Sequence, residues 1–546
     1  MAEDEEIGGP DHGELVIALV AAVGTDVAMV AKEVEIELDE YGYETILLRL
    51  SDYLAEEAGE DFFAIKKFDE ALWDAMSAGD ELRSSWGRGD ALALHAISDI
   101  VATRNERGGI GNQDPLEGLE LDKGSGAPEL APPLERVAFV LRSLKTQEEL
   151  ETLRAVYGPR LIVIAAYSPR EERIKHLASQ IETSRGTKNR ETWVHHPEAL
   201  VERDEKEEAA RGQDVSGTFH RADFFVRGSD PAVARADIQR ALEILFGSPF
   251  RTPTRDEQGQ YLAAGAALRS AELGRQVGAA IATADGSIIS VGANEVPTAG
   301  GGSHWEEDGL GNRDFEIGDV DTNRQQFDDL ARKLAERIDA RTRALIDAAG
   351  KTGKDAAALE ALREELSAAL PADLRAGGLK DLTEFGRAVH AEMNALLDSA
   401  RRGVPVHGAT LYTTTFPCHN CARHIIGAGI DRVVFVEPYT KSRAEQLHAD
   451  SITIGQAERE NGKVAFMPFV GVAPRRYQEM FDAAARQQLG HLARRDDAGH
   501  KQTFDKTTAL PVFSDGGLAP FRPEAREYRA KELLALEHFD RHHGQP

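Results

Sequence analysis

The feature that most constrains this chain is the position of its only two cysteines, a short distance beyond a histidine and a glutamate. His390 and Glu392 lie in the segment HAE, and Cys418 and Cys421 lie in PCHNC, which begins 25 residues after Glu392. Zinc binds imidazole nitrogen and thiolate sulfur, and a catalytic zinc site keeps a fourth position for water. A carboxylate two residues from the histidine can move protons without binding the metal. The pattern therefore predicts a zinc site with three protein ligands, His390, Cys418 and Cys421, and with Glu392 as the proton carrier.

Local sequence signals place these ligands at the starts of two helices beside a parallel sheet. Good helix formers follow His390 as far as Gly403, a suitable C-cap, so His390 is expected in the first turn of a helix. Pro417 favours a second helix start just before the first cysteine. Strand signals at 409–415 and 432–436 flank this second helix, which predicts a parallel pair. Helix N-termini favour ionised thiols, so the thiols are expected to have lowered pKa values.

The cysteine pair also has less specific interpretations. A redox dithiol would leave His390 and Glu392 without a role. A structural zinc site needs four protein ligands, and the chain has no third cysteine, although His419 and His424 are near enough in sequence to be considered. Coincidence is the remaining alternative.

Longer segments around the motif resemble the deoxycytidylate deaminase family. The resemblance is carried by FGRAVHAEMNALLDSARRG and TLYTTTFPCHNCARHIIGAGIDRVVFVEPYTKS, and upstream by ALRSAELGRQVGAAI and SVGANEVP, over about 261–442 with one insert. The spacing H-x-E followed by P-C-x-x-C is also the known signature of zinc deaminases. A P-loop-like half before such a domain resembles the bacterial anti-phage dCTP/dCMP deaminases.

The resemblance implies a zinc-dependent hydrolase acting on the C–N bond of a cyclic amidine. It implies deamination of a free deoxycytidine nucleotide, dCMP, dCTP or both, to the deoxyuridine nucleotide, in anti-phage defence by depletion of dCTP. It also implies a closed homo-oligomer. The substrate contacts that it assigns fall on Asn294, Tyr439, Ala391 and Pro417. From the residues alone, an asparagine at position 294 is more often a turn former, and Tyr439 could equally be an ordinary packing residue.

Two other functions remain open beside this one. An RNA or single-stranded DNA deaminase acting on cytidine or adenosine would need a basic, aromatic-lined groove, which the net charge of −29 disfavours. A nucleotide-binding regulator with a structural zinc site would have no need for Glu392. No nucleic acid is therefore expected to be required for catalysis.

The N-terminal region resembles the opening of a P-loop nucleotide-kinase-like domain. An apolar run at 15–20 predicts a buried strand, followed by a turn, an amphipathic helix and a second strand. Gly24 and Thr25 in the turn are candidates for binding a regulatory nucleotide. Asp26 stands where a P-loop has lysine, and its charge would repel phosphate, so phosphoryl transfer is not expected. An ordinary strand-to-helix turn is the alternative for Gly24.

The predicted organisation is α/β throughout. It comprises a flexible leader at 1–13, a P-loop-like parallel-sheet domain at 14–250, a deaminase-like three-layer α/β/α domain at 254–485 and a C-terminal extension at 486–546. A helical insert is expected at about 298–382. Its first helix carries apolar side chains at helical spacing, which predict a packing face: Phe327, Leu330, Leu334, Ile338 and Leu345.

The composition predicts the cellular compartment of the protein. No apolar run is long enough for a membrane span, and the acidic start lacks the pattern of a secretory signal. Both cysteines are assigned to the metal, which leaves none for disulfides and suits a reducing compartment. The expectation is a soluble, cytoplasmic protein without membrane partners.

Overall fold

The computed structural model describes most of the chain. The described residues are 13–59, 61–109, 131–206, 215–309, 311–316, 322–350, 354–376, 385–437, 442–455, 462–488, 491–511, 531–536 and 538–539. The predicted leader, apart from Gly13, and the predicted substrate contact Tyr439 lie outside these ranges. The chain divides into two compact units, Met1–Tyr261 with Pro468–Pro546 and Leu262–Met467. We refer to them as the first and second units.

Twelve strands are found among the described residues, in two sheets. In chain order they are β1 (Leu15–Ala21), β2 (Glu44–Arg49), β3 (Val137–Leu144), β4 (Leu161–Tyr167), β5 (Phe224–Arg227), β6 (Gly278–Ala282), β7 (Ile288–Ala293), β8 (Thr410–Thr415), β9 (Arg432–Glu437), β10 (Ile452–Ile454), β11 (Val464–Pro468) and β12 (Gly471–Val472).

The α-helices are interspersed with these strands, and in the described parts of the chain no helix is long and apolar enough to cross a membrane. In chain order they are α1 (Val27–Asp39), α2 (Leu50–Ala58), α3 (Phe62–Ile65), α4 (Phe68–Trp86), α5 (Ala91–Arg107), α6 (Gln147–Tyr157), α7 (Arg170–Arg185), α8 (Pro197–Lys206), α9 (Val215–Phe219), α10 (Pro231–Leu245), α11 (Arg255–Ala267), α12 (Thr322–Ala348), α13 (Lys354–Ala376), α14 (Ala391–Arg402), α15 (His419–Gly427), α16 (Ala444–Leu447), α17 (Tyr477–Phe481) and α18 (Ala483–Gln488).

The first unit is built on a sheet with the strand order β12-β5-β4-β1-β3-β2. Strands β1 to β5 run parallel, and β12 pairs antiparallel with β5. Every residue of β1 is buried, as the continuous apolar run predicted for a strand covered on both faces. One face packs its alternate side chains against α1 and α10 in a single apolar cluster. The buried strand predicted at 15–20 and the second strand predicted after the first helix are therefore confirmed as β1 and β2 of one sheet.

The second unit is built on a sheet with the order β10-β11-β9-β8-β6-β7. The hairpin β6–β7 and the pair β6–β8 are antiparallel, whereas β8 and β9 are parallel, as predicted around the cysteine motif. A β-carbon on Gly278 would meet the backbone of Ala263 in α11, and one on Gly292 would meet the backbone of Ala391 in α14. Gly292 pairs with Ala279, so Gly278 and Gly292 face opposite sides of the sheet. Helices therefore cover both sides, which gives three layers.

The helical insert forms the pair α12 and α13, but its predicted apolar face is only partly buried. Phe327 is buried, whereas Ile338 is 38% exposed and Leu345 is 61% exposed. The small residues Ala331 and Ala335 are buried on α12 instead. The predicted face is therefore buried at Phe327 and exposed farther along α12 in the single chain, and packing of the exposed part against a neighbouring subunit stays a prediction.

Two further predictions differ from the structure in their bounds. The helix expected at about 256–273 ends at Ala267, and Leu268 is 76% exposed. The segment from Pro468 groups with the first unit, whereas the sequence placed it in the second domain up to residue 485. The physical reason is the pairing of β12 with β5, which adds a sixth strand to the first sheet.

Candidate metal and catalytic site

Two helix N-termini in the second unit hold the metal-binding residues. His390 is the N-cap residue of α14, and Cys418 is the N-cap residue of α15. Each therefore precedes its helix by one residue, whereas His390 had been predicted within a first turn. Cys421 lies on α15 and is 1% exposed. Gly403 ends α14 in a left-handed conformation, which confirms the predicted C-cap.

The imidazole and the two thiols converge on one point. The sulfur atoms of Cys418 and Cys421 each lie 3.4 Å from Nδ1 of His390. Tetrahedral zinc with ordinary bond lengths separates sulfur and nitrogen ligands by about 3.5 Å, so these donors fit the ion. The described residues offer no fourth histidine, cysteine or acidic ligand to this group, so His419 and His424 do not belong to it. The donor set is that of a zinc site with one position left for a small molecule.

Glu392 lies beside this donor set. It is in the first turn of α14 and is 3% exposed. Its Oε2 atom accepts a hydrogen bond from the thiol of Cys421 at 3.4 Å. It is not part of the group of mutually close ligand atoms. A buried carboxylate next to the donors, but outside their set, is placed to exchange protons with whatever occupies the open position.

The close contacts shift the pKa values of all four groups. A hydrogen bond from Cys421 lowers the pKa of Cys418 to about 4, and the contact with Cys418 raises the pKa of His390 to about 9. The same hydrogen bond and burial raise the pKa of Cys421 well above its usual range. Burial raises the pKa of Glu392. The expectation of lowered thiol pKa values therefore holds for one thiol, and metal binding would release the remaining ligand protons.

Strand β7 fixes the position of α14 through direct backbone contact. A β-carbon at Gly292 would lie 2.3 Å from the carbonyl oxygen of Ala391 and 2.5 Å from the amide nitrogen of Ala395. Ser290 adds a buried hydrogen bond to the Ala395 carbonyl and another to Ser399. Because His390 immediately precedes α14 and Glu392 lies in its first turn, these contacts determine where both side chains lie.

Residues just before and after His390 form a second set of contacts that the sequence analysis missed. The backbones of Val389 and Glu295 exchange two hydrogen bonds. The side-chain amide of Asn394 donates to the carbonyl oxygens of Ala293 and Val389. Glu295 is 2% exposed and forms an ion pair with Arg313 from the insert at 2.7 Å. The sequence signal that could have identified Asn394 is its position: it is a polar residue four positions after His390, on the buried side of a helix.

The residues predicted to contact substrate have different surroundings in the structure. The side chain of Asn294 accepts from the amide of Val277 and donates to the carbonyl of Arg275, so it closes a loop. Ala391 is fully buried in α14, and the carbonyl of Pro417 accepts from Ser442. Substrate contact by these residues, and by Tyr439 outside the described ranges, stays a prediction.

In and just after the turn that follows β1, backbone amides are already hydrogen-bonded to carboxylates of the protein. A β-carbon on Gly24 would lie 2.8 Å from the backbone of Arg173, so this loop is tightly packed. Asp204 accepts from the amide of Val23, and Asp26 caps α1 by accepting from the amide of Met29. Two amides that a phosphate-binding loop would offer are thus bonded to carboxylates. Nucleotide binding by Gly24 and its neighbour Thr25 stays a prediction.

Comparison with protein families gives a match over the region that holds the metal-binding group. Residues 253–437 match the family described as the cytidine and deoxycytidylate deaminase zinc-binding region. The matched range contains His390, Glu392 and both cysteines.

Individual proteins resemble shorter stretches. The chain is 43% identical over 74 residues to ComE operon protein 2 of Bacillus subtilis, covering 13% of this chain and 39% of that protein. It is 46% identical over 55 residues to the deoxycytidylate deaminase of Enterobacteria phage T2, covering 10% and 29%. The chain thus spans well under half the length of these relatives. Among solved structures, the dCMP deaminase of cyanophage S-TIM5 in complex with dCMP and dUMP is 17% identical and covers 40% of this chain and all of that chain, with a TM-score of 0.22.

Proposed function

We propose that this chain, whose residues 253–437 match the cytidine and deoxycytidylate deaminase zinc-binding region, removes the amino group of a free deoxycytidine nucleotide by hydrolysis. One observation carries the proposal. The buried carboxylate of Glu392 lies beside an imidazole and two thiols that converge at 3.4 Å, with no fourth ligand among the described residues. A structural zinc site needs neither an open position nor that carboxylate.

His390, Cys418 and Cys421 would hold the zinc ion. When bound, zinc is a Lewis acid that lowers the pKa of a coordinated water. The protein's part is to fix three donors through the starts of α14 and α15, which pack in one apolar cluster with the sheet. The two thiols as ligands also fit the reducing cytoplasm that we propose as the location.

Glu392 would carry the protons of the reaction. As water attacks C4 of cytosine, its carboxylate takes a proton from that water and delivers it to N3 of the ring. It then takes the remaining proton from the hydroxyl group formed at C4 and passes it to the amino group. The C4–N bond breaks, ammonia leaves, and the C4 carbonyl of the uracil nucleotide forms. Burial of the side chain keeps bulk water from competing for these transfers. A positioned carboxylate of this kind contributes about 10²–10⁴-fold to a rate.

The substrate that we propose is dCMP, dCTP or both, in anti-phage defence by depletion of dCTP. The family match supports a deoxycytidine nucleotide. The net charge of −29 supports a free nucleotide rather than a nucleic acid, because a polymer with many phosphates needs a positive binding surface. We further propose that the chain assembles into a homo-oligomer.

We also propose that the first unit is a nucleotide-kinase-like regulatory domain without phosphoryl transfer. The parallel order β2-β3-β1-β4-β5, with α1 directly after β1, supports the resemblance. Asp26 supports the absence of phosphoryl transfer. Its carboxylate accepts a hydrogen bond from a backbone amide at the start of α1, where a bound phosphate would need free amides.

Ammonia release from dCMP, dCTP, cytidine and a single-stranded oligonucleotide tests the proposal, with zinc content measured on the same preparation. We expect one zinc per chain and ammonia from dCMP or dCTP, with cytidine and the oligonucleotide much slower. Faster release from the oligonucleotide would make the protein a nucleic-acid deaminase. One zinc per chain without ammonia from any of the four would make it a regulator with a structural metal.

A further inference from the structure

Two arginines lie side by side at the carboxyl edge of the first sheet. Arg49 is the last residue of β2 and pairs in register with Arg142 of β3. Register partners on adjacent parallel strands project from the same face and lie about 5 Å apart at the backbone. Arg142 is in register with Leu19 of β1, whose side chain belongs to the face that packs against α1. Ligands of open α/β sheets bind at this edge.

Neither arginine has an ion pair or hydrogen bond to its side chain among the described residues. Arg107, in contrast, makes a two-bond ion pair with Glu44, the first residue of β2, at the opposite end of that strand from Arg49. Like charges placed directly opposite on adjacent strands destabilise a sheet. Burial, followed by the charge of Arg49, lowers the pKa of Arg142, so the pair repels at a partly desolvated site. This repulsion destabilises the protein when no ligand is bound, and a bound anion would remove it.

The backbone beside Arg142 is also irregular. Leu19 pairs with Arg142 and Val20 with Leu144, so Ser143 is an extra residue in β3. Ser143 has a φ of 75°, in the left-handed region that costs a non-glycine residue about 1 kcal/mol or more. Such bulges bend a strand and redirect the neighbouring side chains, and they are enriched next to functional sites.

We propose that Arg49 and Arg142 bind the phosphate group of a small phosphate-bearing molecule at the carboxyl edge of the first sheet. Paired guanidinium groups match phosphate oxygens with several charge-assisted hydrogen bonds. This site differs from the turn at Gly24, where carboxylates already bond the amides. It involves no residue of the deaminase site.

A small molecule fits this site better than a nucleic acid does. Asp26 and Asp52 act on Arg142 through their charges without bonding to it, so the positive patch is confined to two side chains. The strong net negative charge of the chain would oppose a polymer with many phosphates. Two guanidinium groups suffice for one phosphate.

Equilibrium binding of inorganic phosphate and of AMP to the full chain tests this site by calorimetry at fixed salt. AMP separates a nucleoside monophosphate from free phosphate and carries no cytosine. We expect saturable binding of at least one probe with a Kd of about 1 mM or tighter. Arg142→Gln should raise that Kd by about tenfold or more, because the remaining guanidinium loses its partner in a charge-assisted contact. The matched control Arg107→Gln should leave it unchanged.

Thermal unfolding without ligand separates a binding role from a structural one. Because Arg142→Gln removes a repulsion, we expect its Tm to equal or exceed that of the wild type. The proposal is overturned by absence of saturable binding of either probe, by equal Kd values for Arg142→Gln and wild type, or by a clearly lower Tm of this variant. Tighter, Arg142-dependent binding of an oligonucleotide than of AMP would also overturn it. All these readouts are independent of deamination, so loss of that activity would leave the result interpretable.

Discussion

Gly292 allows α14 to lie directly on β7, and replacing it with alanine should displace the metal ligand His390 and the proposed proton carrier Glu392. The added β-carbon would stand 2.3 Å from the Ala391 carbonyl oxygen, whereas ordinary contact begins at 3.4 Å. The atoms that it meets are backbone, so a rotamer change cannot relieve the overlap. The helix must therefore move by about 1 Å, and His390 at its N-cap and Glu392 in its first turn must move with it.

The magnitude follows from that displacement. Overpacking a filled site costs about 1–3 kcal/mol of the free energy of unfolding. A misplacement of about 1 Å at a catalytic group costs about a hundredfold in rate. We therefore expect Gly292→Ala to fold with a lowered Tm and to lose about two orders of magnitude in kcat on dCMP. Thermal unfolding and ammonia release measure the two effects.

Gly265→Ala is the matched control. Gly265 lies in α11, and a β-carbon there would meet nothing within 4 Å. Replacing a helix glycine with alanine stabilises by about 0.5–1 kcal/mol, so its Tm should rise slightly and its kcat should stay the same. Equal Tm and kcat for Gly292→Ala and the wild type would refute the reasoning that this contact positions α14.

Two predictions concern the first unit. Arg104 is 1% exposed and bonds both Glu14 and Glu532, so Arg104→Met should remove the guanidinium that these two buried carboxylates share and cost about 3–5 kcal/mol in denaturant unfolding. A loss under about 1 kcal/mol would contradict this. Burial, with the charge of Arg486, lowers the pKa of His491 from 6.5 to about 3. Between pH 6.5 and about pH 3, His491 is therefore protonated in the unfolded chain but not in the folded chain. The free energy of unfolding should fall as the pH drops through this range. His491→Gln should reduce that slope, and an unchanged slope would assign it to other groups.

Much of the fold could be predicted because its signals are local. The fully apolar run of β1, the hairpin turn before β7 and the C-cap Gly403 each depend on a few neighbouring residues. The metal-binding group was equally accessible, because the chemistry of zinc restricts both the residue types and their spacing. His390, Cys418 and Cys421 are brought together as the motif predicted.

The parts that could not be predicted depend on contacts between distant segments. Strand β12 pairs with β5, which lies far away in the sequence, and no local pattern indicates this partner. Glu532 pairs with Arg104 across more than four hundred residues, which no local pattern indicates. Asn294 is a similar case at the site. From the sequence, its amide could bind a ligand or hydrogen-bond within its own loop, and in the folded chain it bonds to Arg275 and Val277.

The most direct test of the central claim is the zinc content and ammonia release of Glu392→Gln beside the wild type. The variant keeps the size of a buried side chain and leaves His390, Cys418 and Cys421 unchanged. We predict one zinc per chain in both proteins and a fall in deamination of about 10²–10⁴-fold in the variant. A fully zinc-loaded variant that deaminates dCMP within a few-fold of the wild type would contradict the assignment of Glu392 as the proton carrier.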